Sequence, residues 1–239
     1  MKHRRIWSVY PCLALLIWER HLASGLETSA HDFRHAAAVG DMAYRIALDE
    51  WGDRRIACLA GLAGLMHNAD RVIEAETHLP RNSEVAREPH VALIRSWIES
   101  AGLSPEETET VIDAILKHSG KNEPADSREL IALRDADRVV NLRLDDIMRG
   151  VRHLLDLPDI NHDCYLNAPG ITRSEPGSVV QALLHDTWWA EEWNTDYNMR
   201  TKLGWKLAKR RAKLIKGFID TLKRQLVEDG LFPNTLPKP

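Results

Sequence analysis

The chain has 239 residues, 44% hydrophobic and 28% charged, with a formal net charge of -3. That length allows one large domain or two small ones with a sizeable core, and the charge does not mark the whole chain as a polyanion binder. Three scattered cysteines, Cys12, Cys58 and Cys164, exclude a disulfide scaffold and contain no CxxC zinc pair, so a reducing cytoplasm is the expected location. Eleven histidines and eight tryptophans stand against only three phenylalanines. What matters is where the histidines fall.

Residues 1–24 form an apolar extension: a basic start, an apolar run from Ile6 to Trp18 interrupted by Pro11, then Glu19, Arg20 and His21. A secretory signal, a helix packed on the domain and an extension from an early start codon all fit this pattern. The run is too short to span a membrane. From residue 30 onward the periodicity is helical. His35, Val39, Met42 and Ile46 share one face, and Ile56, Leu59, Ala60, Ala63, Met66 and His67 share another. The polar stretch from Glu74 to Glu88 reads as a break, and Pro89 suits the first turn of a helix running through Ile94 and Ile98. Ser104 with Pro105 and Glu107 is a strong helix start, and that helix carries Val111, Ile115 and His118 before Gly120. Ser127 opens another, with Leu130, Leu133, Asp137, Val140 and Leu144 in one stripe. Residues 156–177, rich in proline, glycine and asparagine, read as a long loop. Helices resume at 178 and 201 and run to about 229. No run alternates as a strand must, so the class is all-α, with residues 25–239 expected as a single domain.

Asp137 is the most informative polar residue. It lies in an apolar stripe, and a buried carboxylate must be paired, hydrogen-bonded or bound to a metal. One reading pairs it with Arg211, which falls on the apolar stripe of Leu207, Leu214 and Phe218. The other joins it to His35 and His67, which also face inward.

The order of these residues resembles the HD superfamily of metal-dependent phosphohydrolases, over roughly residues 30–142. Ala30-His31-Asp32-Phe33-Arg34-His35 is similar to the opening helix, with His35 in the first ligand position. The run Leu59 to His67-Asn68 is similar to the segment ending in the His-Asp doublet. Ala114 to Gly120 resembles the helix that ends in His118, and Arg134 to Val139 the terminal Ala-Asp motif, with Asp137 in the ligand slot. His90 resembles the extra histidine of two-metal members. The segment from Thr201 to Leu222 is similar to a closing helix.

The resemblance implies an HD-domain-like helical bundle, with ligands on helices between about 30 and 155 and an additional C-terminal helical layer. It implies a divalent transition metal (Mn, Fe, Co, Ni or Zn, with Mg as an alternative) held by His35, His67, Asn68, His90, His118 and Asp137. Such a metal lowers the pKa of bound water and supplies hydroxide to attack a phosphate ester. Catalytic support is expected from Asp70, His118, Lys121 and Arg138, with Lys117 and Arg71 as further candidates for the phosphate oxygens. The chain departs from the family at the doublet, where Asn68 offers a neutral carbonyl oxygen instead of a carboxylate. That endangers a dinuclear centre more than a single ion on His35, His67 and Asp137. Asp70, three residues after His67, either compensates or pairs with Arg71 or Arg138.

His185-Asp186 is a second such doublet, but no Ala-Asp helix follows it, so it is not assigned to the site. His31-Asp32 and His162-Asp163 are further chance doublets, although His31 lies one turn before His35. The expected substrate is a small phosphorylated molecule such as a nucleotide. The alternative is a catalytically impaired HD-type domain that binds a nucleotide or protein partner without turnover. The basic residues of 200–224 read as a solvated helix face, so neither nucleic acid nor a membrane is expected as a partner. Trp188, Trp189, Trp193 and Trp205 read mostly as core against the first helices, with a homodimer contact as the other option.

Overall fold

In a computed structural model of the chain, the described residues are 5–26, 31–79, 84–145, 148, 157 and 177–230. They form α1 (Ile6–Val9), α2 (Pro11–Ala23), α3 (Phe33–Trp51), α4 (Arg54–Met66), α5 (Ala69–Thr77), α6 (Glu84–Ile98), α7 (Pro105–Lys117), α8 (Arg128–Asn141), α9 (Val179–Asp186) and α10 (Lys202–Glu228). Short 3-10 turns follow α6 and α9, and no strand occurs among the described residues. The all-α bundle expected from periodicity is the observed fold. The expected loop at 156–177 lies almost wholly outside the described residues, as do His162, Asp163 and Cys164.

Side-chain caps set where the helices begin. Ser104 and Glu107 form the reciprocal capping box read from the sequence, and Ser127 caps α8. Asp32 accepts a hydrogen bond from the His35 amide at 2.8 Å, which starts α3 immediately before the first candidate ligand. The break expected from Glu74 to Glu88 is narrower at both ends, since α5 runs on to Thr77. Helix α6 begins at Glu84, so Pro89 lies inside it rather than in its first turn. Ala86 and His90 are both buried.

Helices α3 and α4 cross at glycines. A Cβ on Gly64 would sit 2.8 Å from the Cα of Gly40, and one on Gly40 would sit 2.8 Å from the Gly61 carbonyl oxygen. Ile6 of α1 plugs the same crossing. This close approach sets the distance between His35, five residues before Gly40, and His67, three residues after Gly64. Gly64→Ala is expected to destabilise the protein by about 1–3 kcal/mol, because backbone must move and the gain in helix propensity is only about 1 kcal/mol. Urea unfolding checks this.

Two apolar clusters share α8. The first collects α2, α3, α4, α5, α6, α7 and one side of α8, with Leu62, Leu65, Ile115 and Leu133 fully enclosed. The second joins Val139 and Leu142 to α9, the turn after it and α10. Helix α8 is therefore covered on nearly every side, and residues two apart on it face different layers. Leu144, expected at the end of the inward stripe, is exposed. The tryptophans also depart from expectation. Trp189 is buried in the second cluster and not against the first helices, Trp193 packs edge-on against Trp205 at 5.3 Å, and Trp188 is half exposed.

The apolar start of the chain folds onto the domain, with Ile6, Leu13, Ala14, Ile17 and His21 buried. Among the described residues no helix is long and apolar enough to cross a membrane.

Candidate metal centre

His35 projects from α3, His67 caps the end of α4, and Asp137 lies in the third turn of α8. The His35 Nε2 is 3.3 Å from Asp137 Oδ1, and His67 Nε2 is 3.7 Å from the same oxygen. Ligand atoms from all three residues lie within 4.8 Å of one another, the one such group found among the described residues. Both histidines are buried, whereas the Asp137 side chain is 23% exposed. The cluster therefore has one side open.

Proton positions follow from the backbone. His67 Nδ1 is 2.7 Å from the Gly64 carbonyl oxygen, which can only accept, so Nδ1 carries the proton. Burial pushes the His67 imidazole down to about 3, so it is neutral near pH 7 and its Nε2 bears a lone pair. Burial acts to raise the Asp137 carboxyl, but the hydrogen bond from His35 and the charges of His67, His35 and His118 carry it well below the usual carboxylate range. A lone pair on His67 thus faces a carboxylate oxygen with no proton between them. A divalent cation resolves that opposition, and an imidazole held by a backbone carbonyl through its other nitrogen is the usual form of a histidine ligand. The donor set fits the implied metal.

The remaining candidates separate into three groups. His118, at the end of α7, stacks edge-on against His67 with ring centroids 5.3 Å apart, and its Nδ1 is 2.6 Å from the Ile115 carbonyl oxygen. His31 packs on His35 at 6.0 Å. These two extend the pair into a row of four imidazoles. His90 is buried in α6 with no hydrogen-bond partner at Nε2, and burial lowers its pKa while Asp70 raises it and His118 lowers it further. Asp70, in the first turn of α5, accepts from the Arg71 amide. His90, His118 and Asp70 are thus electrostatic neighbours, but they do not converge as His35, His67 and Asp137 do.

Asn68 is buried beside His67, and its amide nitrogen donates to the His31 carbonyl at 3.3 Å. A carboxylate has no proton to give that carbonyl. Asn68→Asp is therefore expected to lower the stability of the metal-free protein by about 1–3 kcal/mol. It should also strengthen Mn²⁺ binding about tenfold, by adding a charged oxygen beside His67. Paired urea unfolding and calorimetric titration would read both effects.

The third group is engaged elsewhere. The Arg138 guanidinium is buried against Asn122 Oδ1 at 3.2 Å and the Asn198 carbonyl at 3.0 Å. Lys121 pairs with Asp196 at 3.0 Å and lies over the Tyr197 ring. Lys117 pairs with Asp113, and Arg71 with Glu74. Each of these four cations thus has a partner outside the triad. The sequence placed them near the ligands because they are close along the chain. On a helix, adjacent residues point about 100° apart. Arg211 donates to the Val139 carbonyl, whereas the contacts recorded for Asp137 are with His35, His67 and Asn141. The alternative ion pair between Asp137 and Arg211 is thus replaced by the histidine cluster. His185 and Asp186 end α9, outside the triad.

Sequence reasoning missed the residues that hold the site together. Asp135, fully buried on the opposite side of α8 from Asp137, accepts hydrogen bonds from the Thr201 amide and hydroxyl, both at 2.7 Å, and from the Arg200 amide at 2.9 Å. Gly204 lets α10 approach this carboxylate, since a Cβ there would meet it at 2.9 Å. Arg134 reaches from α8 to the Lys117 carbonyl at 2.8 Å, next to His118, and pairs with Asp126. The Asp137 motif itself hid Asp135, because two carboxylates so close in sequence look like one site.

The comparisons with known proteins agree with this geometry. The HD domain family model matches residues 32–142, a span that contains all three members of the triad. No curated protein matches the chain. Two similar solved structures are YpgQ of Bacillus subtilis, determined in complex with ADP, and a structural-genomics target protein from Lactobacillus plantarum. The first is 20% identical with a TM-score of 0.59, covering 91% of this chain and 97% of that one. The second is 16% identical with a TM-score of 0.60, covering 92% and 97%. At these identities the likeness establishes the fold.

Proposed function

We propose that the protein is a metal-dependent phosphohydrolase acting on a phosphate ester of a nucleotide or related small molecule. The observation that supports this most is the lone pair of His67 aimed at the Asp137 carboxylate, with His35 beside them. A divalent ion held there by His35, His67 and Asp137 would supply a Lewis acid that acidifies water and polarises a phosphoryl oxygen. The rest of the chemistry belongs to the chain. The Gly64 carbonyl fixes the His67 tautomer, and Arg134 holds the turn that carries His118. His118, half buried with its Nδ1 directed at a carbonyl, presents Nε2 as a proton donor or acceptor towards a leaving oxygen. The ADP in the YpgQ structure favours a nucleotide substrate. The free thiols of Cys12 and Cys58 fit a reducing, cytoplasmic setting.

Asn68 favours a second reading, a domain that binds its ligand without turnover, because the family's carboxylate is missing from the doublet. A panel of phosphomonoesters and nucleotides assayed with Mn²⁺, Co²⁺ or Fe²⁺ separates the two. Turnover that disappears in His67→Ala supports the enzyme. Nucleotide binding without turnover under every metal supports the second reading.

A further inference from the structure

The turn between α7 and α8 begins at His118 and is gripped from two sides. From α8, Arg134 donates through Nη2 and Nε to the Lys117 carbonyl, at 2.8 and 3.3 Å. That carbonyl belongs to the last residue of α7, one position before His118. From the C-terminal layer, Arg200 Nη1 donates to Asp126 Oδ2 at 2.7 Å and to the Glu123 carbonyl at 3.0 Å. Arg134 and Arg200 meet on that one oxygen, Asp126 Oδ2. The Arg200 amide is in turn bonded to Asp135 on α8, at 2.9 Å. We infer that Arg200 is a positioning residue: through Asp126 and Arg134 it sets where the His118 imidazole stands beside His67. The inference rests on the proton-transfer role given to His118 above.

Charge explains why this chain of contacts runs to His118. The Arg134 and Asp126 side chains are only 3% and 4% exposed. Two guanidiniums on one carboxylate leave a positive charge unbalanced where water is scarce, and such a charge needs a partner. The final turn of α7 supplies one, because the last carbonyls of a helix are unpaired and carry its negative end. His118 is bonded to the same turn, its Nδ1 lying 2.6 Å from the Ile115 carbonyl oxygen. Without Arg200, Asp126 and Arg134 balance one to one, and a bidentate pair turns both forks of the guanidinium to the carboxylate. The Lys117 carbonyl then loses Arg134. The far part of the turn stays anchored, since Asn122 Nδ2 donates to the Thr195 and Asn198 carbonyls at 2.7 and 2.9 Å. The change is confined to the end that carries His118.

The experiment compares the full-length wild type with Arg200→Gln and Arg200→Lys by two readouts. In the first, metal-free protein is treated with diethyl pyrocarbonate, and carbethoxylation of each histidine is followed by peptide mass. His118 is expected to react about tenfold faster in Arg200→Gln, through local opening of its turn. Arg200→Lys should react near the wild-type rate, because Arg200 uses a single nitrogen for both side-chain contacts and an ammonium can replace it. His21, buried on α2, reports general loosening and should keep its rate. The second readout is hydrolysis with Mn²⁺. Arg200→Gln is expected to lower kcat about tenfold with KM within about twofold, since a misplaced proton-transfer group costs rate more than binding. In a His118→Gln background the same change should lower kcat no further. A wild type without turnover sinks the phosphohydrolase reading alone, because the carbethoxylation rates still decide the inference. An unchanged His118 rate in Arg200→Gln, or equal acceleration of His118 and His21, overturns it. So does a fall in kcat by the same factor with and without His118.

Discussion

Asp137→Ala is expected to lower affinity for Mn²⁺ by more than about a hundredfold, since loss of an outer hydrogen-bond partner alone costs 10–100-fold at a histidine–carboxylate site. Any phosphohydrolase turnover should fall with it. Removing the carboxylate deprives both His35 and His67 of the oxygen they face at 3.3 and 3.7 Å. His185→Ala is the matched control: it removes a histidine from another His-Asp doublet, at the end of α9, and should leave metal affinity unchanged. Isothermal titration of the three proteins with Mn²⁺, beside their steady-state rates, reads both quantities.

Asp135→Ala is expected to cost about 3–5 kcal/mol of stability, the range for removing one partner from a buried charged network. The loss has two parts. The Thr201 amide and hydroxyl and the Arg200 amide lose their acceptor, and the Arg138 guanidinium, 3.8 Å from Asp135 Oδ1, keeps its burial without that charge. Thr201 also caps α10, so the second apolar cluster should loosen before the first. A urea transition followed by tryptophan emission, with Trp189 in the second cluster and Trp97 in the first, should lose its single step in this variant.

The sequence made the bundle legible because its helices announce themselves. Ser104 and Ser127 mark starts, and the stripes of α3, α4 and α8 place His35, His67 and Asp137 inward before any geometry is known. Their convergence was readable only through the order that resembles an HD domain, since the three residues come from helices far apart in the chain. What stayed hidden was carried by backbone and by long-range polar contacts. The Gly64 carbonyl that sets the His67 tautomer has no side-chain signature. The bond from Arg134 to the Lys117 carbonyl spans 17 residues, and that from the Thr201 amide to Asp135 spans 66. Arg138 and Lys121 illustrate a related point. Closeness in sequence to a ligand says little about direction, and both cations turn towards residues 196–198 of the C-terminal layer. The tryptophans misled because composition tells that they pack but not against what.

The central claim is that His35, His67 and Asp137 hold one divalent ion. Crystals grown with Mn²⁺ and measured at the manganese absorption edge test it most directly. The account predicts one anomalous peak bounded by His35 Nε2, His67 Nε2 and Asp137 Oδ1, absent from crystals of His67→Ala. A peak held instead by His90, His118 and Asp70, or by His185 and Asp186, with none at the triad, would contradict it.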